Sequence, residues 1–328
     1  MNIIETKNLT KTYQSFTKEP GLKGSIKSLF RRKFITKIAV ADFDLSVNEG
    51  EFIGLIGPNG AGKTTLVKML TGIIAPSSGE IYVAGHYPNK LENSFKQQYA
   101  VVMGQKSQLF LELSAADTFL LFKELYHIPE DEYQENLNYF VKLFSVSDLL
   151  DVPVRTLSLG ERMKMELIVA LLHNPKLLFL DEPTIGLDAI AQKQIRGFLK
   201  EVNETKGTTI LLTSHYMEDI KSLCKRCVVI NGGTKLYDGD TDQLFTKYQT
   251  HKKVTISLEN EERCSLNQEH IVLEESLYKI SLLVKKEQAQ ELLKDVLSRY
   301  ELKDISIEEE DIGNVVERIY NDKSEVMA

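Results

Sequence analysis

The sequence predicts an α/β fold with a mostly parallel β-sheet. Almost continuous apolar runs at residues 51–57, 176–183 and 208–215 are typical of strands that are buried on both faces. Helical patterns separate these runs, and strands that alternate with helices favour parallel pairing. Turn-forming sequences such as NEG, PSSG and NGG lie between the elements and mark where they end.

The stretch between Gln105 and Pro175 is predicted to be largely helical. Helical patterns cover residues 114–127, 131–145 and 160–173. We expect them to form a helical subdomain, at about 106–175, that is inserted between strands of a larger domain. That larger domain is predicted to extend over residues 1–247.

A second, smaller domain is predicted from residue 248 to residue 328. Glycine is absent between Gly239 and Gly313, and short strand and helix patterns follow one another there. These features indicate an accessory α/β domain. Its predicted elements are strands at 253–258, 278–284 and 303–308 and helices at 286–299 and 311–321.

The composition is that of a globular protein that does not cross a membrane by itself. The 328 residues are 42% apolar and 27% charged, and no apolar run approaches the roughly 18 residues that a spanning helix needs. The N-terminus has no basic region followed by an apolar one, so no secretory signal is expected. Three cysteines give no disulfide framework and favour a reducing compartment.

A phosphate-binding loop is indicated by the sequence GPNGAGKTT. It fits the pattern G-x-x-x-x-G-K-[ST] and lies between a predicted strand and a predicted helix. Backbone N–H groups of such a loop close around phosphate oxygens, and the helix N-terminus adds positive charge. Lys63 is expected to reach the β- and γ-phosphates, and Thr64 to offer its hydroxyl to Mg²⁺. The candidate binding residues are Gly57, Pro58, Asn59, Gly60, Ala61, Gly62, Lys63, Thr64 and Thr65.

Two adjacent acids end the apolar run LLFLDEP. Asp181 is placed to hold Mg²⁺, usually through water, and Glu182 to polarise an attacking water as a general base. Adjacent acids at a strand end can also be a solvated cap. Together with a phosphate loop, they indicate nucleotide hydrolysis instead.

The sequence LSLGER has two interpretations. Ser158 and Glu161 have the spacing of a capping box ahead of an apolar helix. The same geometry exposes N–H groups beside Gly160 to an anion. The local sequence alone does not distinguish a plain helix start from an anion contact.

The order of these motifs resembles that of the ATP-binding cassette (ABC) ATPases over roughly residues 1–245. The chain carries the phosphate loop, Gln105, LSLGE, LDEP, GLD and His215 in that order. Leu159 and Glu161 stand where the commonest family signature has glycine and glutamine. The LSLGE form is similar to that of the ATPases of ABC type-2 exporters.

The resemblance implies a P-loop NTPase cassette. Its mostly parallel core would carry an antiparallel β subdomain and an inserted helical subdomain. It would be an ATPase that uses ATP and Mg²⁺ and pairs head to tail around two ATP molecules, as a homodimer or with a closely related cassette subunit.

The resemblance also implies roles for single residues. Ser158 and Gly160 of one subunit would contact the ATP held by the other, and Asp188 would link the two sites. Gln105 would contribute to Mg²⁺ and sense the γ-phosphate, and His215 would hold that phosphate and the attacking water. The expected catalytic residues are Glu182, His215 and Lys63, and the expected metal ligands are Thr64, Gln105 and Asp181.

Adenine binding is assigned to Tyr13, since the family stacks the base on an aromatic residue near the N-terminus. Base–aromatic stacking contributes about 1 to 3 kcal/mol. A basic stretch separates Tyr13 from the phosphate loop by more residues than in the usual cassette. Phe16 and Phe34 are therefore its competitors.

That basic stretch, residues 18–37, carries seven Lys or Arg and one Glu, a local charge of +6 (7 − 1), in a chain of net charge −7. Its apolar residues recur with the spacing of one helix face; they are Leu22, Ile26, Leu29, Phe30 and Phe34. Two interpretations remain open. The stretch is either a basic amphipathic helix that contacts anionic lipid or membrane subunits, or a solvated insertion at about 16–37.

Two functions are compatible with these motifs. In the first, the chain is the energy-coupling subunit of an exporter and binds separate transmembrane permease subunits at the cytoplasmic face of the cell membrane, through residues 105–145. In the second, it is a soluble cassette ATPase that acts on nucleic acid or the ribosome. A single cassette, the lack of sustained heptads and the acidic bulk disfavour the second, so no nucleic acid is expected.

Overall fold

A computed structural model describes residues 1–17, 33–104, 106–214, 216–260, 270–310, 315 and 318–319, without the side chains of 15–17 and 33–34. It divides into two compact units, Met1–Asp240 and Thr241–Ala328. The boundary predicted at residue 247 lies inside the helix Thr241–Tyr248. The prediction rested on the absence of glycine between Gly239 and Gly313. The structure places the boundary a few residues earlier, between Asp240 and Thr241.

The first unit contains the predicted alternation of strands and helices. Its described strands are β1 (Asn2–Thr17), β2 (Lys33–Asn48), β3 (Phe52–Ile56), β4 (Ser78–Val83), β5 (Tyr99–Met103), β6 (Leu177–Asp181), β7 (Thr209–Thr213), β8 (Arg226–Asn231) and β9 (Thr234–Asp240). Its described helices are α1 (Lys63–Leu70), α2 (Asn93–Lys96), α3 (Ala115–Tyr126), α4 (Glu130–Phe144), α5 (Leu159–Leu171), α6 (Ala189–Lys206) and α7 (Met217–Leu223).

Two sheets organise this unit. The larger has the order β5-β6-β7-β3-β8-β9, and every pair in it is parallel except β8 with β9. The smaller is antiparallel, with the order β2-β1-β4. Helices α3, α4 and α5 lie between β5 and β6 in the chain. The predicted fold class is confirmed: a parallel core, an antiparallel sheet and a helical insertion.

The core explains why the phosphate loop is held rigidly. Strands β3 and β7 are buried at every position. Ile53 and Leu55 of β3 share one apolar cluster with Leu66 and Leu70 of α1. The strand before the loop and the helix after it are therefore fixed to the same core. The carboxyl ends of β3, β6 and β7 meet at one edge of the parallel sheet, where ligands of such sheets usually bind.

The last residues of the basic stretch, 33–37, belong to strand β2. Strands β1 and β2 pair antiparallel, with Tyr13 opposite Lys37 and Phe16 opposite Phe34. The inclusion of Phe34 in a helix face is therefore wrong, because its backbone belongs to this ladder. The other members of that face, at residues 22–30, lie outside the described residues.

The second unit is a four-stranded antiparallel sheet with a helix on one face. Its described elements are α8 (Thr241–Tyr248), β10 (His251–Leu258), β11 (Ile271–Glu275), β12 (Lys279–Lys285), α9 (Ala289–Arg299) and β13 (Leu302–Glu309). The strand order is β11-β12-β10-β13. Val254 and Leu282 of the sheet pack in one cluster with Leu292 and Val296 of α9. Strand β11 was not predicted, and the helix predicted at 311–321 falls largely outside the described residues.

Within the described ranges, no helix is both long enough and apolar enough to cross a membrane.

Candidate functional site

The phosphate loop connects β3 to α1 and is closed by Lys63. The Lys63 Nζ donates hydrogen bonds to the carbonyl oxygens of Gly57, at 2.6 Å, and Pro58, at 3.3 Å. Burial lowers the pKa of the Lys63 ammonium, although the carboxylates of Glu182 and Asp181 oppose this shift. An ammonium that is partly desolvated in this way is well placed to bind an anion.

Two glycines of the loop are required by close contacts. A β-carbon on Gly62, whose φ is 116°, would lie 2.4 Å from the Ala39 carbonyl oxygen. A β-carbon on Gly57 would lie 2.5 Å from the Ile230 carbonyl oxygen. Any other residue at either position would force the loop away from the strands beneath it.

Asp181 lies at the end of β6 and joins two hydroxyl groups. Its carboxylate accepts hydrogen bonds from Thr64 Oγ1, at 3.2 Å, and from Thr213 Oγ1, at 2.6 Å. Thr64 and Asp181 thus present two hard oxygen donors at one point, although 117 residues separate them in the chain. Mg²⁺ commonly takes one or two protein ligands and completes its shell with phosphate oxygens and water. The pair fits that ion.

Glu182 follows immediately, in a left-handed backbone conformation with a φ of 57°. Its N–H donates to the Thr213 carbonyl oxygen, at 3.0 Å. A β-carbon on Gly104 would lie 2.3 Å from the Glu182 carbonyl oxygen, so glycine is needed there for close packing. Non-glycine residues at positive φ cost free energy and occur often at functional sites, where the surrounding structure holds them.

A cavity of about 210 Å³ brings the phosphate loop, Glu182 and Tyr13 together. Loop residues 59–65 form one part of its wall, and Tyr13 and Lys37 of the β1–β2 hairpin form another. The Tyr13 side chain is 40% exposed, so its ring is accessible for stacking. A cavity with an aromatic ring on one wall and a phosphate loop on another suits a nucleotide. The side chains of the competitors Phe16 and Phe34 lie outside the described residues.

Ser158, Gly160 and Asp188 lie outside the lining of this cavity. Ser158 caps α5 in a full capping box with Glu161. The Glu161 carboxylate accepts hydrogen bonds from the Ser158 N–H, at 2.8 Å, and from the Ser158 hydroxyl, at 2.7 Å. These bonds lower the pKa of Glu161, the hydroxyl contributing most. Glu161 therefore turns back onto Ser158.

Asp188 caps α6, and its carboxylate accepts a hydrogen bond from the Ala191 N–H, at 2.9 Å. The start of α5 packs against the same region, because a β-carbon on Gly160 would lie 2.9 Å from the Ala191 β-carbon. The residues predicted to face a partner's nucleotide thus adjoin one another. Gln105 and His215 lie outside the described residues.

Sequence reasoning missed several residues that position the site. Thr213 fixes Asp181 through its hydroxyl, Gly104 allows the close approach of Glu182, and Lys37 lines the cavity. For Thr213, its place at the end of the apolar run TTILLT was a usable sequence signal. The other two depend on contacts between distant parts of the chain and left no local signal.

Comparisons with known proteins identify relatives of this chain. The ABC transporter family model matches residues 40–185. The chain is 33% identical over 207 residues to the ABC transporter ATP-binding protein NatA of Bacillus subtilis, a match that covers 63% of this chain and 84% of NatA. It is 31% identical over 239 residues to the linearmycin resistance ATP-binding protein LnrL of the same organism, covering 72% of this chain and 75% of LnrL.

A solved structure shares the fold. It is a dimeric ATP-binding cassette in a post-hydrolysis state, bound to ADP and Pi, with a TM-score of 0.59 at 23% identity. The match covers 72% of this chain and 98% of that chain. None of these relatives is named for nucleic acid or the ribosome, so they give the soluble alternative no support.

The phosphate loop, the Asp181–Glu182 pair and the extent of the match to NatA lead to one conclusion. The chain belongs to the ABC transporter family and is one of its ATP-binding, ATP-hydrolysing proteins.

Proposed function

We propose that this chain is the energy-coupling subunit of an ABC exporter. Two copies, or one copy and a closely related cassette subunit, pair head to tail around two Mg-ATP and drive separate transmembrane subunits at the cytoplasmic face of the membrane. One observation carries the proposal. Lys63 and Glu182 line the cavity that also contains Tyr13, whereas Ser158 and Gly160 lie outside its lining. A complete site then needs a second copy.

The residues in and around the cavity have separate tasks in hydrolysis. Lys63 binds the β- and γ-phosphates, and Tyr13 stacks on adenine. Thr64 and Asp181 would hold Mg²⁺, with Gln105 as a further ligand, and the bound ion would neutralise phosphate charge. Glu182 takes a proton from the attacking water. His215 positions that water and the γ-phosphate.

The second half of each site is supplied by the partner subunit. Ser158 and Gly160 at the start of α5 face the ATP held by the other copy, and Asp188 links the two sites. The dimeric state of the solved cassette that shares this fold supports the pairing. To contact a phosphate, Ser158 must withdraw the N–H and hydroxyl that it donates to Glu161.

We expect Glu161→Gln to strengthen ATP-dependent pairing. An amide oxygen is a weaker acceptor than a carboxylate, so Ser158 is released more easily, and repulsion of phosphate is removed. The dimer dissociation constant should fall roughly 3- to 10-fold, the range for replacing a charged hydrogen bond by a neutral one. Analytical ultracentrifugation of the hydrolysis-deficient Glu182→Gln background with ATP measures it.

A matched control exists in the same subdomain. Ser114 and Asp117 form an equivalent capping box at the start of α3. Asp117→Asn should weaken that cap without changing the dimer dissociation constant. Equal dimer dissociation constants for the Glu161→Gln protein and its parent would contradict a competition between Glu161 and phosphate for Ser158.

Helix α3 and the segment before it carry an apolar surface suited to a membrane subunit. We name it the α3 patch; its exposed residues are Phe110, Leu111, Leu113, Leu120, Leu121 and Leu125. Leu125 is 65% exposed. Contiguous exposed apolar residues of this kind mark protein interaction sites.

A groove adjoins the patch through the same helix. Phe122 and Tyr126 of α3 line a cavity of about 210 Å³ together with Tyr99 and His173. The His173 ring stacks on Tyr126 at 3.9 Å, and burial lowers its pKa to about 4, so the ring is neutral at physiological pH. Its buried Nδ1 has no hydrogen-bond partner in the part of the chain that the structure describes. A groove lined by aromatic side chains can receive a segment of a partner protein.

We expect the double variant Leu121→Ser/Leu125→Ser to uncouple the motor. Both side chains lie on α3 one turn apart, so the change removes the centre of the patch and leaves the nucleotide cavity intact. Stimulation of ATPase by the membrane subunits in proteoliposomes should fall at least about 10-fold, as for loss of interface anchors, while basal activity stays unchanged. Ile73→Ser, at an exposed apolar residue outside the patch, is the control. Full stimulation of the double variant would contradict the proposal that the α3 patch contacts the membrane subunits.

The proposed function as a whole is tested by purification and reconstitution. Affinity-tagged protein from detergent-solubilised membranes should carry membrane-spanning subunits, and the reconstituted complex should hydrolyse ATP faster than the isolated chain. Recovery of ribosomes or DNA without any membrane subunit contradicts the exporter function. The contact of residues 18–37 with anionic lipid stays a prediction.

A further inference from the structure

We propose that Asp219 is a positioning residue for hydrolysis, acting through Thr184 on the loop that carries Glu182. Asp219 lies on α7 and is fully buried. Its Oδ2 accepts hydrogen bonds from Thr184 Oγ1, at 2.5 Å, and from Ser214 Oγ, at 2.8 Å. Its Oδ1 accepts one from Arg196 Nη1, at 2.9 Å. The inference rests on the proposed role of Glu182 as general base.

The three donors come from three segments around the site. Thr184 follows Glu182 by two residues. Ser214 follows Thr213, the last residue of β7, and the Thr213 hydroxyl donates a hydrogen bond to Asp181. Arg196 lies on α6, the helix that Asp188 caps. One buried carboxylate thus joins the loop after Glu182, the end of β7 and the helix that starts at Asp188.

The backbone of the Glu182 loop depends on such an anchor. Glu182 has a positive φ of 57°, a conformation that persists only when its surroundings fix it. Apart from the bond from Glu182 N–H to Thr213 O at 3.0 Å, the backbone hydrogen bonds within the loop are long, from Ile185 N–H to Glu182 O at 3.3 Å and from Leu187 N–H to Thr184 O at 3.2 Å. The Thr184 hydroxyl is itself buried, so water does not replace its bond to Asp219.

The Asp219 carboxylate is paired with a cation, which explains how it is buried here. The Arg196 guanidinium pairs with Asp219 and also lies 3.6 Å from Glu218. Ser214 Oγ in turn accepts a hydrogen bond from the Tyr216 N–H, at 2.9 Å. A satisfied buried network of this kind specifies a single arrangement of the segments that it joins.

The test removes only the link between Thr184 and Asp219. Thr184→Val keeps the shape of the side chain and deletes the donor. We expect kcat for ATP hydrolysis to fall about 10- to 100-fold, the effect of a small misplacement of a catalytic group, with the ATP dissociation constant unchanged. Thr184→Ser, which restores the hydroxyl, should recover most of kcat.

Thr71→Val is the matched control, because Thr71 is also a fully buried threonine and its hydroxyl donates to the Val67 carbonyl oxygen at the far end of α1. It should lower thermal stability about as much as Thr184→Val and leave kcat unchanged. Equal kcat for the two valine variants overturns the proposal, and so does a Thr184→Ser protein as slow as Thr184→Val. If Thr184→Val does not fold, Ser214→Ala, which deletes the other donor to Asp219 Oδ2, is measured with the same expectation.

A Glu182→Gln protein that hydrolyses ATP at the normal rate would instead reject the role of Glu182 itself.

Discussion

Glu182→Gln should bind ATP normally and hydrolyse it about 10² to 10⁴-fold more slowly, the loss expected for a missing general base. Glu182 lines the cavity that also contains Lys63 and the rest of the phosphate-loop wall. The amide that replaces its carboxylate has the same size but cannot take a proton from water. Single-turnover hydrolysis measures the effect on the chemical step, separately from nucleotide binding.

The same substitution should accumulate the ATP-bound dimer. When hydrolysis is blocked, the closed pair cannot progress to its ADP state, so ATP should shift the protein from monomer to dimer in ultracentrifugation. Glu204→Gln changes an exposed glutamate on α6 and should alter neither hydrolysis nor dimerisation. Hydrolysis near the normal rate in the Glu182→Gln protein contradicts its assignment as the base.

Lys63→Ala should weaken ATP binding itself. A hydrogen bond to a charged group contributes about 1.5 to 3 kcal/mol, so affinity should fall roughly 10- to 100-fold. Lys63 is buried, and burial lowers the pKa of its ammonium. Fluorescent-nucleotide titration measures the affinity.

An exposed lysine provides the control for that experiment. Lys200 lies on α6, and its side chain is largely exposed beside Glu204. Lys200→Ala should bind ATP as the wild type does. Unchanged ATP affinity in the Lys63→Ala protein would contradict the assignment of residues 57–65 as a phosphate-binding loop.

Much of the fold was predictable because its signals are local. The runs that became β3, β6 and β7 are apolar at almost every position, as strands buried on both faces must be. The capping box of Ser158 and Glu161 was predicted from spacing alone and is present in full. The helices of the insertion begin and end within two residues of their predicted bounds.

The features that sequence reasoning missed depend on distant contacts or lack a burial pattern. All five residues of β11 are exposed, so no apolar alternation marked it as a strand. Phe34 was assigned to a helix because its spacing fitted, but its pairing with Phe16 of β1 places it in a ladder. The Thr184 hydroxyl donates to Asp219, which lies 35 residues away in the chain, and no local sequence pattern predicts such a hydrogen bond.

One measurement tests the composite site most directly: ATP hydrolysis by a mixture of two inactive variants. Lys63→Ala destroys the phosphate loop, and Ser158→Asp keeps a good cap on α5 while placing a negative charge against the partner's phosphate. In a head-to-tail pair, the mixed dimer contains one complete site, built from Lys63 of one copy and Ser158 of the other. Activity of an equal mixture should recover to about a quarter of the wild-type value, since random pairing makes half of the dimers mixed and each has one working site. A mixture no more active than its two components would contradict a site shared between copies.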